Sequence, residues 1–106
     1  MPDLLVQIVR FVDNHQPGWV ECAFVDAEGR SHLIIEKVPV VTAEDLDAES
    51  EYPKPGTVRC EVLKRYHNSE GQELVFITTE RPYDIESTEG ASEFTVPARL
   101  IASFEN

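Results

Sequence analysis

The segment "TAEDLDAESEYP", residues 42 to 53, holds five carboxylates and no Lys or Arg. Carboxylates that converge can hold a hard cation, and Asp45, Asp47, Glu49 and Glu51 alternate as the ligands of a calcium loop do. The rest of that pattern is missing: with Asp45 in first position, Ser50 stands where the sharp turn needs glycine, and Gly56 where the bidentate glutamate belongs. No metal is expected there. The chemistry left to such a run is electrostatic, so Glu44, Asp45, Asp47, Glu49 and Glu51 are the candidate contacts for a basic protein partner. Trp19, the only tryptophan, is the candidate aromatic anchor. A solvated connection between strands accounts for the same charge and stays open as an alternative.

Other combinations of chemistry-bearing residues fail on spacing. His15, His32, His67, Cys22 and Cys60 lack the paired spacings of a zinc site. Neither a GxSxG elbow nor an HExxH helix occurs, and adjacent Ser31 and His32 on a strand point to opposite faces. No catalytic residue and no cofactor is assigned. The long segment "ERPYDIESTEGASEF" supports an alternative, a small-molecule enzyme or ligand-binding barrel with its pocket near residues 80 to 93. Arg81 and Tyr83 would orient a polar ligand, with Asp84 and Glu86 beside them as acid or base.

Charge decides among partner classes. The chain has 9 basic and 20 acidic residues in 106, a formal charge of −11. Residues 1 to 53 carry 3 basic and 11 acidic side chains, and residues 54 to 106 carry 6 and 9, so the negative pole lies around the acidic run. Such a field repels polyanions and anionic membrane and favours cationic partners. In "VRCEVLKRYH" the basic groups could serve a nucleic acid, but Glu61 sits between Arg59 and Arg65 on their own face. Nucleic-acid and membrane binding are not expected. Asp3, Gln7 and Arg10 interrupt what would have to be a signal sequence, no apolar run is long enough to span a bilayer, and two cysteines without CxxC spacing read as free thiols. A cytoplasmic protein with a single domain over residues 1 to 106 is expected.

The elements that position these residues are strands. Short runs of Val, Ile, Phe and Tyr are separated by Gly, Pro, Asn and Asp, which predicts strands near 4–12, 18–25, 30–38, 57–66, 72–79 and 93–101. "FVDAEGRSHLII" and "YHNSEGQELVFI" share one turn grammar, with Gly29 and Gly71 in the left-handed conformation. Taking the loops as residues 26–29 and 68–71 pairs Cys22 with Leu33, Val20 with Ile35 and Trp19 with Glu36. Val20, Cys22, Phe24, Leu33 and Ile35 then share one apolar core face. The same rule pairs Val62 with Ile77 and leaves Leu63, Leu74 and Phe76 on the other face, a candidate interface for a weak homodimer. "TAED" matches a capping box, so at most one short helical turn is expected, near 43–48. The expected fold is mainly β: a small antiparallel barrel of about six strands, OB-like or translation-factor-like, with a β-sandwich as the alternative. On this reading the protein is a small acidic binding module without catalysis, of inhibitor, immunity or regulatory type.

Overall fold

A computed structural model describes residues 1–103. Eight strands form two antiparallel sheets: β1 Pro2–Asp13, β2 Trp19–Val25, β3 Ser31–Lys37, β4 Lys54–Arg59, β5 Glu61–His67, β6 Glu73–Thr78, β7 Glu93–Pro97 and β8 Ile101–Ser103. The first sheet runs in the order β3-β2-β1-β4 with β8 also paired to β1, and the second in the order β5-β6-β7. The six expected strands are all present. They become eight because Cys60 interrupts the fourth and a 3-10 turn at Ala98–Leu100 interrupts the sixth. At both interruptions the chain passes from one sheet to the other, and at the first of them the Cys60 N–H donates to the Pro2 carbonyl at 3.2 Å.

The sheets share one core. Leu4, Ile8, Val20, Ile34 and Val58 of the first pack in a single cluster with Val75, Ile77, Phe94 and Val96 of the second. The expected closed barrel is not found among the described residues. Strands β3 and β7 form no ladder; each instead accepts a single bond from a loop, Ala27 N–H of the β2–β3 turn donating to Thr95 O at 2.9 Å and Thr88 N–H of the segment before β7 donating to Leu33 O at 2.8 Å.

The register of the first hairpin differs from expectation by one residue, and the consequence is large. Asp26 N–H donates to Arg30 O at 2.8 Å, so the loop spans residues 26–30 instead of 26–29. Cys22 therefore faces Ile34, Val20 faces Glu36, and Trp19 faces Lys37. Shifting a strand by one residue exchanges its faces. Ile34 enters the core, while Leu33 and Ile35 stand 37% and 40% exposed.

The second hairpin hides two departures that cancel. Its loop also has five residues, with Asn68 N–H donating to Gln72 O at 3.0 Å, but a bulge at Leu63 restores Val62 opposite Ile77. Of the three residues expected to form an exposed patch, Leu74 is buried within the chain, Phe76 is partly buried, and Leu63 alone is exposed. The contiguous patch therefore does not exist.

The short helix is also displaced from 43–48 to α1, Val38–Val41. Its position follows from burial: Val38 and Val41 enter the core, and Pro39 sits in the first turn, where a missing N–H costs nothing. Thr42, expected to start a helix, instead ends one in extended conformation. Gly56 of β4 lets this turn lie close, since a Cβ there would come within 2.8 Å of Ile8 Cδ1 and 3.2 Å of the Val41 carbonyl.

Cys22 and Cys60 are free and buried. Burial pushes the Cys22 thiol up to about 12 and the Cys60 thiol up to about 11, aided by Glu36 near the first and Asp3 near the second. Because the thiolate is the reactive form, neither thiol should react with a disulfide reagent at neutral pH, and both should react at once in denaturant. Prompt titration of even one thiol in the native protein contradicts this placement.

Candidate interaction surface

Two residues of α1 reach the surface, and around them five of the sequence candidates gather. Pro39 is exposed and Val40 partly buried. On one side Pro39 borders a depression of about 330 Å³ that includes Glu44, Asp45 and Leu46. On another, Val40 borders a depression of about 400 Å³ with Trp19, Glu36, Lys37, Tyr83 and Asp84. A third, about 240 Å³, joins Pro39 and Val40 to Asp3, Arg59 and Tyr83. The result is an acidic and aromatic surface built from two separate runs of the chain.

Local chemistry holds the acidic run in shape. Leu46 and Tyr52 pack against the core as partly buried anchors. Between them Asp47 organises the turn: its Oδ1 accepts the Glu49 N–H at 2.8 Å, its own N–H donates to Ser50 Oγ at 3.0 Å, and its carbonyl accepts the Tyr52 hydroxyl at 2.8 Å. Glu44 pairs with Lys54 at 2.9 Å. Asp45, Glu49 and Glu51 have no ion-pair partner among the described residues and are exposed. Asp47 and Glu44 thus shape the loop, and the other three present charge.

The second run is held from below. Thr79 Oγ1 donates to Ile85 O at 2.6 Å and Ile85 N–H returns a bond to Thr79 O at 2.9 Å, with both residues buried. Above this clamp Asp84 adopts φ +55°, a left-handed conformation that Asp tolerates better than most residues, and its N–H donates to Glu80 O at 2.7 Å. Tyr83 is left 57% exposed beside Trp19. Lys37 Nζ lies 5.5 Å from the centre of the Trp19 ring, so the chain's own cation lies over that face, and a partner's cation would take its place.

Arg81 and Glu86 do not join the surface, and Asp47, Glu49 and Glu51 of the acidic run lie outside its three depressions. Arg81 is drawn to Glu61, to which its Nε and Nη2 donate at 3.2 and 3.1 Å. That pairing holds the Glu61 carboxyl below its usual range and raises the Arg81 guanidinium. Glu86 borders none of the three depressions. The basic run is similarly occupied, with Arg59 on Asp3 at 2.8 Å and Arg65 on Glu73 at 4.0 Å.

Sequence reasoning missed one pair. The inward turn of β3 carries His32 between Phe24 and Phe94, with ring centres 5.2 and 4.9 Å away, and its Nε2 meets Asp26 Oδ2 at 2.7 Å. Asp26 Oδ1 also accepts the Glu28 and Arg30 N–H groups at 2.9 and 3.0 Å. Burial raises the Asp26 carboxyl, but the bonds from His32 and the two backbone donors outweigh it, so its net position is below the ordinary 3.8. An Asp-His pair can serve as a general base only if its second nitrogen reaches a substrate. His32 Nδ1 is buried without a hydrogen-bond partner, so the pair acts as a latch that closes the hairpin loop. The spacing in "DAEGRSH", an Asp that opens the turn and a His six residues later just beyond it, is the signal that would have found it.

No family model matches the chain, and no curated protein or solved structure is detectably similar to it. Function must therefore be argued from the surface itself. Among the described residues, no three His, Cys, Asp or Glu side chains stand close enough to share a metal ion.

Proposed function

We propose that the protein is a small acidic, cytoplasmic binding module that engages a basic protein partner, as an inhibitor, immunity-type protein or regulator does, without catalysis. One observation carries the reading: Glu44 and Asp45 on one side, and Trp19, Tyr83 and Asp84 on the other, meet across the Pro39-Val40 ridge. Asp45, Glu49 and Glu51, without ion-pair partners among the described residues, attract Lys and Arg at long range, and the exposed Tyr83 ring gives a bound guanidinium an aromatic seat. The charge of −11 steers such a partner from a distance.

Immobilised protein is expected to capture lysate polypeptides that elute as salt rises, because a Debye length of about 8 Å at physiological ionic strength shrinks to about 3 Å near 1 M. Combined Asp45→Asn, Glu49→Gln and Glu51→Gln should weaken a captured partner about tenfold, chiefly through its association rate, and Trp19→Ala should act chiefly on dissociation. Capture that neither salt nor the triple variant reduces would falsify the proposal.

A second reading keeps the same depression for a small polar ligand, an enzyme or carrier function in which Trp19, Tyr83 and Asp84 line the site. The left-handed backbone of Asp84 favours it, since such conformations gather at ligand sites. The engagement of Arg81 by Glu61 weighs against it, because the group meant to orient the ligand is already held.

A further inference from the structure

The first hairpin is amphipathic in the wrong sense for a solvated sheet. Strand β3 turns His32, Ile34 and Glu36 inward and Leu33 and Ile35 outward. The outward rows continue the pattern: Leu33 lies beside Ala23, which lies beside Gln7 and then Pro55, with Val25 and Leu5 exposed on neighbouring strands. Among the described residues, half of the exposed large apolar side chains, Leu5, Val25, Leu33 and Ile35 among eight, therefore stand on the outer face of the first sheet.

This face has two shapes. At the β3 edge Leu33 and Ile35 form a ridge. Where β1 and β2 approach the 3-10 turn before β8, the face is hollow, a groove of about 630 Å³ lined by Leu5, Val9, Val25, Pro55, Arg99 and Leu100 among others. A two-fold contact requires a surface on which each feature finds its complement on the same face, because what i does to j, j does to i. A ridge beside a groove meets that requirement.

Charge is arranged in the same way. Arg99 is the one charged group lining the groove and has no carboxylate partner among the described residues. The ridge is flanked by acid: Thr88 N–H is bonded to Leu33 O, which ties the segment holding Glu86 and Glu89 to that edge. The ion pair on the face, Arg10 with Glu21 at 2.9 Å, is internally neutral. The repulsion that opposes a second copy therefore comes from the rest of two bodies of charge −11, and it weakens as salt rises.

We propose that the outer face of β1 to β3 is the contact between two copies of this chain, the Leu33-Ile35 ridge of each seated in the groove of the other, with Arg99 facing the partner copy's acidic 86–89 segment. With strands about 4.8 Å apart and about 3.3 Å of rise per residue, the patch measures roughly 20 by 20 Å. That is about half the area a standard interface buries on each side, so the dimer is weak. It shares none of its lining with the acidic and aromatic depressions, and a basic partner can bind either form.

Sedimentation equilibrium over a concentration series, at low and at about 0.5 M salt, tests the contact. Wild type is expected to dimerise reversibly, and more tightly at the higher salt, where repulsion between the two acidic bodies is screened. Ile35→Glu should raise the dissociation constant about tenfold or more, while Leu63→Glu, which changes an exposed apolar group on the other sheet, should leave it within about twofold. Should Ile35→Glu fail to fold, mixed single-cysteine proteins Ile35→Cys and Leu100→Cys decide instead: the two buried native thiols stay silent, and mild oxidation should give the mixed crosslink in preference to either self-crosslink. A wild type that stays monomeric at both salts, an Ile35→Glu protein that dimerises as well as wild type, or a crosslink with no preference overturns the proposal.

Discussion

Ile34→Ala is expected to lower the free energy of unfolding by about 2–5 kcal/mol, and Ile35→Ala by less than about 1 kcal/mol, when both are measured by urea denaturation at a concentration where the chain is monomeric. The two residues are neighbours of identical chemistry, so the contrast reports the register alone. Ile34 is fully buried opposite Cys22, in the cluster that includes Val20, Ile8 and Phe94. Its truncation removes buried methyl groups and leaves a cavity between the two sheets, where the partners on both sides are held by their own ladders and cannot collapse into it. Ile35 gives up only partial contact on an outer face. Equal costs for the two, or a larger cost for Ile35, would restore the four-residue loop and reject the structure of this hairpin.

Asp26→Ala is expected to cost about 2–3 kcal/mol, a large effect for a residue in a turn. The carboxylate gathers three donors, and its removal leaves two loop N–H groups and a nearly buried imidazole without an acceptor. Since Nδ1 of His32 already lacks a partner, the ring would then sit between Phe24 and Phe94 with neither nitrogen satisfied. The same bonds make the contribution pH-dependent. The carboxyl is held below 3.8 in the folded state, so its stabilisation is fully present above that value and is lost as the pH falls through the lower, folded one. Asp26→Asn should accordingly show a shallower loss of stability than wild type as the pH falls below 3.8. Superimposable acid-unfolding curves would show that other carboxylates dominate and that the latch is not ionised as inferred.

The strands were legible because each is a run of β-branched and aromatic residues bounded by turn residues, and all six expected segments hold strand. Their pairing was less so. Register depends on one residue of loop length, and "VDAEGRS" accommodates a loop of four or five equally well by composition. What selects five is Asp26, whose carboxylate caps Glu28 and Arg30 while its backbone closes on Arg30, a set of bonds to which the inward-turned His32 adds one more. The helix was misplaced for a related reason: "TAED" has local capping chemistry, but "VPVV" has two valines that the core can bury, and burial outweighs a cap. Trp19 and the acidic run were found by residue type. That Tyr83 and Asp84 stand beside Trp19 was not accessible, because the meeting depends on how Thr79 and Ile85 clamp a loop about sixty residues further along.

Strand β1 pairs with β2, with β4 and, through Pro2–Leu4, with Ile101–Ser103 of β8. Among the described strands the longest, β1, is thus the earliest in the chain and is completed only by the latest, β8. At about 5–20 residues per second, several seconds pass between the emergence of Leu4 and that of its neighbour Ile101. Through that interval one edge of an apolar strand offers unpaired N–H and C=O groups to whatever is nearby, and loops of such length also close slowly. Nascent chains should therefore be most prone to aggregate before β8 is made, and Ala102→Pro, which removes a backbone donor from β8, should harm yield in cells more than it harms the stability of the protein that survives.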